Sequence, residues 1–239
     1  MISYEQGFEN MERMWLCVTR DDLHDGLQGY RRYHNIMRAL SDEYGIARDR
    51  VVAVFVSLSP NTDYINNLRS TKSVLHGVAQ GWPPERIQVS TYRHCLLRAY
   101  AYATGQASFL EQTKGPKIRA FYHNVLDPND QRYVTVDGHM VCIWRGLNLT
   151  MRQALVRGRE YSAIQHATKA LAFKHQLVPC EAQAVLWHAR KRMQGIKYDR
   201  QHNFWPADEP TMLTGYRPRL VGPEQLAAAC AAPPVQDLR

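Results

Sequence analysis

Apolar residues spaced three and four positions apart run through most of this chain, and that spacing constrains the fold more than any other feature. Leu23, Leu27, Tyr30, Tyr33, Ile36, Met37 and Leu40 fall on one face of a helix that Asp21-Asp22 can start and Gly45 can stop. Pro60-Asn61-Thr62-Asp63 is a turn and N-cap signal, followed by Tyr64, Ile65, Leu68, Val74 and Leu75, with a stop at Gly77. Further helices are expected over Thr91–Thr104 (ending at Gly105), Ile118–Leu126, Arg159–His175 and Glu181–Gln194. The last starts at Pro179-Cys180 and stops at Gly195. Arg50–Leu58 is strongly apolar, and its β-branched content leaves a buried helix and a strand equally open. The expected architecture is mainly α, a single compact helical domain over residues 1–195 whose periodic body begins near residue 20. An irregular C-terminal extension follows over 196–239, with a flexible low-complexity tail from Ala227 to Pro234. No interior stretch is rich enough in Pro, Gly or Ser to separate independent domains, and no internal repeat occurs.

Charge narrows the partners. Thirty Lys and Arg stand against 22 Asp and Glu, a net charge of +8. A surplus of that kind suits a polyanion, because neutralising phosphates releases counterions. The five cysteines (Cys17, Cys95, Cys142, Cys180, Cys230) are scattered and include no C-x-x-C pair. That argues against a zinc site, an iron–sulfur cluster or a disulfide framework, and a reducing cytoplasmic setting is expected. The N-terminus is mixed and acidic, and no apolar run approaches membrane-spanning length, so neither secretion nor membrane insertion is expected.

Two residues stand in distinctive local frames. Lys117 closes Thr113-Lys114-Gly115-Pro116-Lys117 at the start of a helix, where backbone N–H groups can receive a phosphate. A lysine held there and partly desolvated becomes nucleophilic. Asp137 follows the β-branched run Val134-Thr135-Val136 and precedes Gly138-His139-Met140, a position suited to an N-cap and to stabilising developing positive charge. Downstream lies Cys180-Glu181-Ala182-Gln183-Ala184-Val185-Leu186-Trp187, in which Gln183 and Trp187 share one helix face. Upstream lies Leu58-Ser59-Pro60-Asn61-Thr62-Asp63.

These four segments, in this order, resemble the helix-hairpin-helix DNA glycosylases, and among them the lysine-bearing 8-oxoguanine type, over roughly residues 52–190. The resemblance implies a two-lobed helical fold with the chemistry in the interlobe cleft. It implies Lys117 as the nucleophile that attacks the sugar C1′ carbon and forms a Schiff base, with Asp137 as its electrostatic partner. Gln183 would read the edge of an extruded base, Trp187 would stack on its face and Phe121 would form a further wall. Asn61 would fill the gap left in the duplex, and Lys114, Gly115 and His139 would contact phosphates. The hairpin departs from the family pattern, with Thr113 where a first glycine is usual, and Trp187 and Phe121 differ from the commonest pocket residues. The expected partner is therefore double-stranded DNA carrying a modified base. That base is either a damaged purine such as 8-oxoguanine or a hypermodified phage pyrimidine, in repair or in antiviral defence. A monomer without metal or cofactor is expected. Alternatives are a monofunctional glycosylase in which Lys117 only binds phosphate, a non-catalytic DNA-binding module, and an RNA- or protein-binding helical domain.

Overall fold

A computed structural model of the chain describes residues 2–150, 152–156 and 158–195. The expected C-terminal extension, including the alanine-rich tail and Cys230, lies outside the described residues. Among those described, the protein is mainly helical and contains no strand. Its helices are α1 (Tyr4–Leu16), α2 (Arg20–Tyr44), α3 (Arg48–Ser57), α4 (Tyr64–Ala79), α5 (Arg93–Thr104), α6 (Phe109–Gln112), α7 (Pro116–Leu126), α8 (Gly138–Arg145), α9 (Gly158–Lys174) and α10 (Pro179–Met193), with a 3-10 turn at Pro84–Arg86. They fall into two compact units. The first is built from the chain up to Gln28 and from Val136 onward; the second is Gly29–Thr135, so the chain passes from one to the other within α2.

In the first unit α1, α8, α9 and α10 pack on one another. Trp144, 1% exposed, is among the largest side chains in its core, with Met11, Met140, Ile164, Leu171 and Leu186 also fully buried. Glycine lets two helices come unusually close. A Cβ on Gly7 of α1 would lie 2.4 Å from the Trp144 ring, and one on Gly26 of α2 would lie 2.6 Å from the Val185 backbone nitrogen of α10. Two ion pairs secure the same unit. Arg145 binds Glu160 through Nε and Nη2 (2.8 and 2.7 Å). Asp22, 1% exposed, accepts from the Thr19 N–H and hydroxyl and from Arg192 Nε at 2.9 Å. Burial raises the Asp22 carboxyl, but these donors outweigh it and hold the group below the usual aspartate value. Arg145 likewise lowers Glu160.

The second unit is organised around α3. Val51–Val56 are all buried, and Leu58 follows, with α4, α5 and α7 packed against this one helix. An element covered on every side needs no polar face, which is why its sequence had no amphipathic period to separate helix from strand. Asp63 caps α4 by accepting from Asn66 N–H at 2.8 Å, as the turn signal implied. The helix nevertheless runs past Gly77 to Ala79, because Gly77 is buried against Ile87 rather than ending the turn. At the far end of α7, His34 Nδ1 lies 3.2 and 3.0 Å from the carbonyls of Val125 and Leu126, satisfying acceptors that a helix C-terminus leaves open.

Gly26→Ala is expected to lower stability by about 1–3 kcal/mol, since the clash takes in the Val185 backbone as well as its Cγ2 and no side-chain movement alone relieves it. An unchanged urea midpoint would refute the close approach. The lowered carboxyls of Asp22 and Glu160 set an acid limb. Their contribution is present above the unfolded carboxylate values and is lost as pH falls through the folded ones. Stability should therefore decline as pH drops below about 4, and the decline should be shallower in a doubly substituted Asp22→Asn/Glu160→Gln protein.

Candidate active site

Four of the residues singled out in the sequence belong to the first unit: Asp137, His139, Gln183 and Trp187. Val136 is buried, and Asp137 beside it, in extended backbone, stands at the N-terminus of α8. There its Oδ1 accepts from Met140 N–H at 3.0 Å, the capping bond that the sequence called for. His139 occupies the first turn of α8, half-buried, with its ring edge-on to Trp187 of α10 at a centroid distance of 5.9 Å. One helix end and the face of a second helix thus converge on an indole ring.

Trp187 is half-buried, unlike Val185 and Leu186 beside it, which are wholly enclosed. Gln183, one turn earlier on α10, is 4% exposed, so its amide faces a largely water-free environment. An amide next to an aromatic face, with both on one helix, can serve the edge and the face of a planar heterocycle.

The structure adds a residue that sequence reasoning passed over. Lys191 stands one turn beyond Trp187, and its Nζ lies over the indole ring at 4.3 Å from the centroid. Burial pulls the ammonium below the usual lysine value, and the Asp137 carboxylate opposes that shift, which sets the two charges in one neighbourhood. The phenol of buried Tyr161 also belongs here, close to the Val136 backbone. Burial pushes its pKa well up, with Asp137 adding to the effect. The signal for Lys191 was the period itself: Gln183, Trp187 and Lys191 recur every four residues on one face of α10.

The other predicted residues lie in the second unit. Lys117 is exposed in the first turn of α7, behind Pro116 at N1. Lys114 and Gly115 are exposed in the irregular three-residue link between α6 and α7. Gly115 has φ −67° and open space around it, so this link uses none of glycine's special freedom. Phe121 packs into an aromatic cluster, 5.8 Å from Phe55, 6.2 Å from Tyr30 and 6.3 Å from Tyr33, so within this unit it is a packing residue. Asn61 is exposed at the loop between α3 and α4 with φ +54°, a left-handed conformation that asparagine tolerates better than most side chains. The same unit contains a cleft of about 280 Å³ lined by Asp49, Arg50, Tyr102 and Tyr122, which none of the predicted residues enters.

Among the described residues, no group of three or more His, Cys, Asp or Glu could hold a metal ion. Cys17, Cys95, Cys142 and Cys180 are free thiols. No described helix is long and apolar enough to cross a membrane.

The protein is thus a mainly helical chain in which a carboxylate, an indole, an amide and a desolvated amine share one unit. A family described as "Family of unknown function (DUF7178)" matches residues 2–194, and the chain belongs to it. The match takes in every helix from α1 to α10. No curated protein matches the chain, and no solved structure does.

Half-burial of Trp187 separates pocket from core. Trp187→Ala should leave a cooperatively folded protein, whereas Trp144→Ala should cost about 3–5 kcal/mol and melt the first unit. Equal melting losses in the two variants would return Trp187 to the core.

Proposed function

We infer that this chain is a DNA glycosylase of the helix-hairpin-helix type, excising a modified base that it first extrudes from a duplex. The observation that carries this reading is the gathering of Asp137, His139, Gln183, Trp187 and Lys191 at the α8 N-terminus and on one face of α10. An extruded base needs edge hydrogen bonds and a stacking surface, and Gln183 and Trp187 offer both. Departure of the base leaves positive charge on the sugar, and a fixed carboxylate such as Asp137 stabilises that charge as it develops. In the fuller mechanism Lys117 attacks C1′, the base leaves with its bonding electrons, and the resulting Schiff base permits strand cleavage by β-elimination. The modified base is then a damaged purine such as 8-oxoguanine or a hypermodified phage base, in repair or in antiviral defence.

One observation favours a second reading. Lys117 is exposed on a helix whose N-cap glycine adopts ordinary extended backbone, while Lys191 lies over the Trp187 ring, its ammonium lowered by burial against the opposing Asp137 carboxylate. A monofunctional glycosylase, with Lys117 contacting phosphate and Asp137 assisting water, accommodates this directly.

The decisive experiment is a panel of duplexes bearing different modified bases, with heat–alkali treatment to reveal abasic sites. Asp137→Asn preserves the N-cap, because asparagine caps as well as aspartate, and should lower base release by about a hundred- to a thousand-fold. Near wild-type release in this variant would sink the assignment. Borohydride trapping on an abasic duplex then sorts the amines. An adduct lost in Lys117→Gln makes Lys117 the nucleophile, and one lost only in Lys191→Gln moves that role to Lys191. Base release without any adduct selects the monofunctional reading.

A further inference from the structure

The segment Tyr64–Thr104 carries five Lys and Arg side chains against a single carboxylate, Glu85. All five cations are exposed: Arg69 and Lys72 on α4, Arg86 in the 3-10 turn, and Arg93 and Arg98 on α5. α4, the 3-10 turn and α5 pack on one another, so these charges sit on adjoining elements of the second unit. Glu85 pairs with Arg93 at 3.4 Å. The remaining four cations have no carboxylate partner among the described residues.

Aromatic rings are set between the charges. Trp82 meets His76 edge-on at 5.4 Å, lies beneath the Arg86 guanidinium at 5.4 Å, and is held by the Tyr100 hydroxyl, which donates to its carbonyl at 2.9 Å. Tyr92 is 49% exposed and stacks on His94 with ring planes 10° apart. Beside it, the Thr91 hydroxyl donates to the Pro60 carbonyl and pins this end of α5 to the loop that presents Asn61. Charge alone would suit an acidic protein surface as well as a nucleic acid. The exposed Tyr92 ring among guanidinium groups, with half-buried Trp82 beneath Arg86, suits unpaired bases, which offer planar faces that carboxylates lack.

The geometry points to a nucleic-acid surface on α4, the 3-10 turn and α5, a track for a single strand that starts beside the Asn61 loop. The cations neutralise successive phosphates and Tyr92 receives a base on its open face. This surface lies outside the residues assigned to excision, and its existence does not depend on that chemistry.

The test uses the full chain and a labelled, unmodified oligothymidylate of roughly 12 nucleotides, beside a duplex of the same length and polyglutamate as competitor. Tyr92→Ala should weaken oligothymidylate binding by roughly 5- to 100-fold and leave duplex binding nearly unchanged. The triple variant Lys72→Gln/Arg86→Gln/Arg98→Gln should flatten the dependence of log K on log[salt] by about 2, at roughly 0.7 for each lost phosphate contact. Both variants should melt with the wild-type protein, since every altered side chain is exposed. Wild-type oligonucleotide affinity in Tyr92→Ala together with an unchanged salt slope in the triple variant overturns the proposal. Displacement of the oligonucleotide by polyglutamate at equal charge also overturns it, in favour of an acidic protein partner. Because the probe contains no modified base, either result stands whether or not the chain excises one.

Discussion

The approach of α2 to α10 at Gly26 governs the first unit. With hydrogen in place of a methyl group, the Val185 backbone and side chain come within 2.4–2.7 Å of where a Cβ would stand. Protein interiors are packed as densely as organic crystals, so one added carbon there displaces a whole helix. α10 is the helix that carries Gln183, Trp187 and Lys191 on a single face. Its depth against α2 decides how far those side chains project toward the α8 N-terminus, where Asp137 and His139 are held by a capping bond and a ring contact. The same device recurs at Gly7, which lets α1 cross the Trp144 ring. A glycine in a helix interior costs up to about 1 kcal/mol of helix propensity, which here is exchanged for close packing.

Helix boundaries were legible where termination has a local cause. Asp63 caps, and Gly45, Gly105 and Gly195 adopt left-handed backbone one residue or so past the ends of α2, α5 and α10. Legibility failed where the deciding force was tertiary. Gly77 looked like a stop but lies inside α4 because its bare face admits Ile87. α3 could not be told from a strand because every side of it is buried. α1 went unassigned although Ser3 caps it by accepting from Gln6 N–H. Tyr4, Phe8, Met11 and Trp15 do fall at helical spacing, but the partners that fix its place, Trp144 and His175, lie far along the chain.

The site divides in the same way. Asp137 was readable as a cap and Gln183 with Trp187 as a face, because both follow from spacing alone. The position of Lys191 over the indole was equally periodic, but desolvation of its ammonium arises from neighbours the sequence does not name. Phe121 was singled out through the resemblance, and its ring neighbours within the second unit, Tyr30, Tyr33 and Phe55 of α2 and α3, were not legible from its spacing.

The interleaving of the two units sets an order of assembly during synthesis. Gly29–Thr135 is one continuous stretch, so the apolar surround of α3 can close as soon as that stretch has emerged. α1 has no such option: its packing partners α8, α9 and α10 begin roughly 120 residues after it ends. Until they arrive, Met11 and the open flank at Gly7 are exposed on a nascent chain, and the loop that must be closed to bury them is long. A nascent chain that has emerged only as far as Thr135 would therefore hold every residue of the second unit and an α1 still waiting for the indole it is shaped to cover.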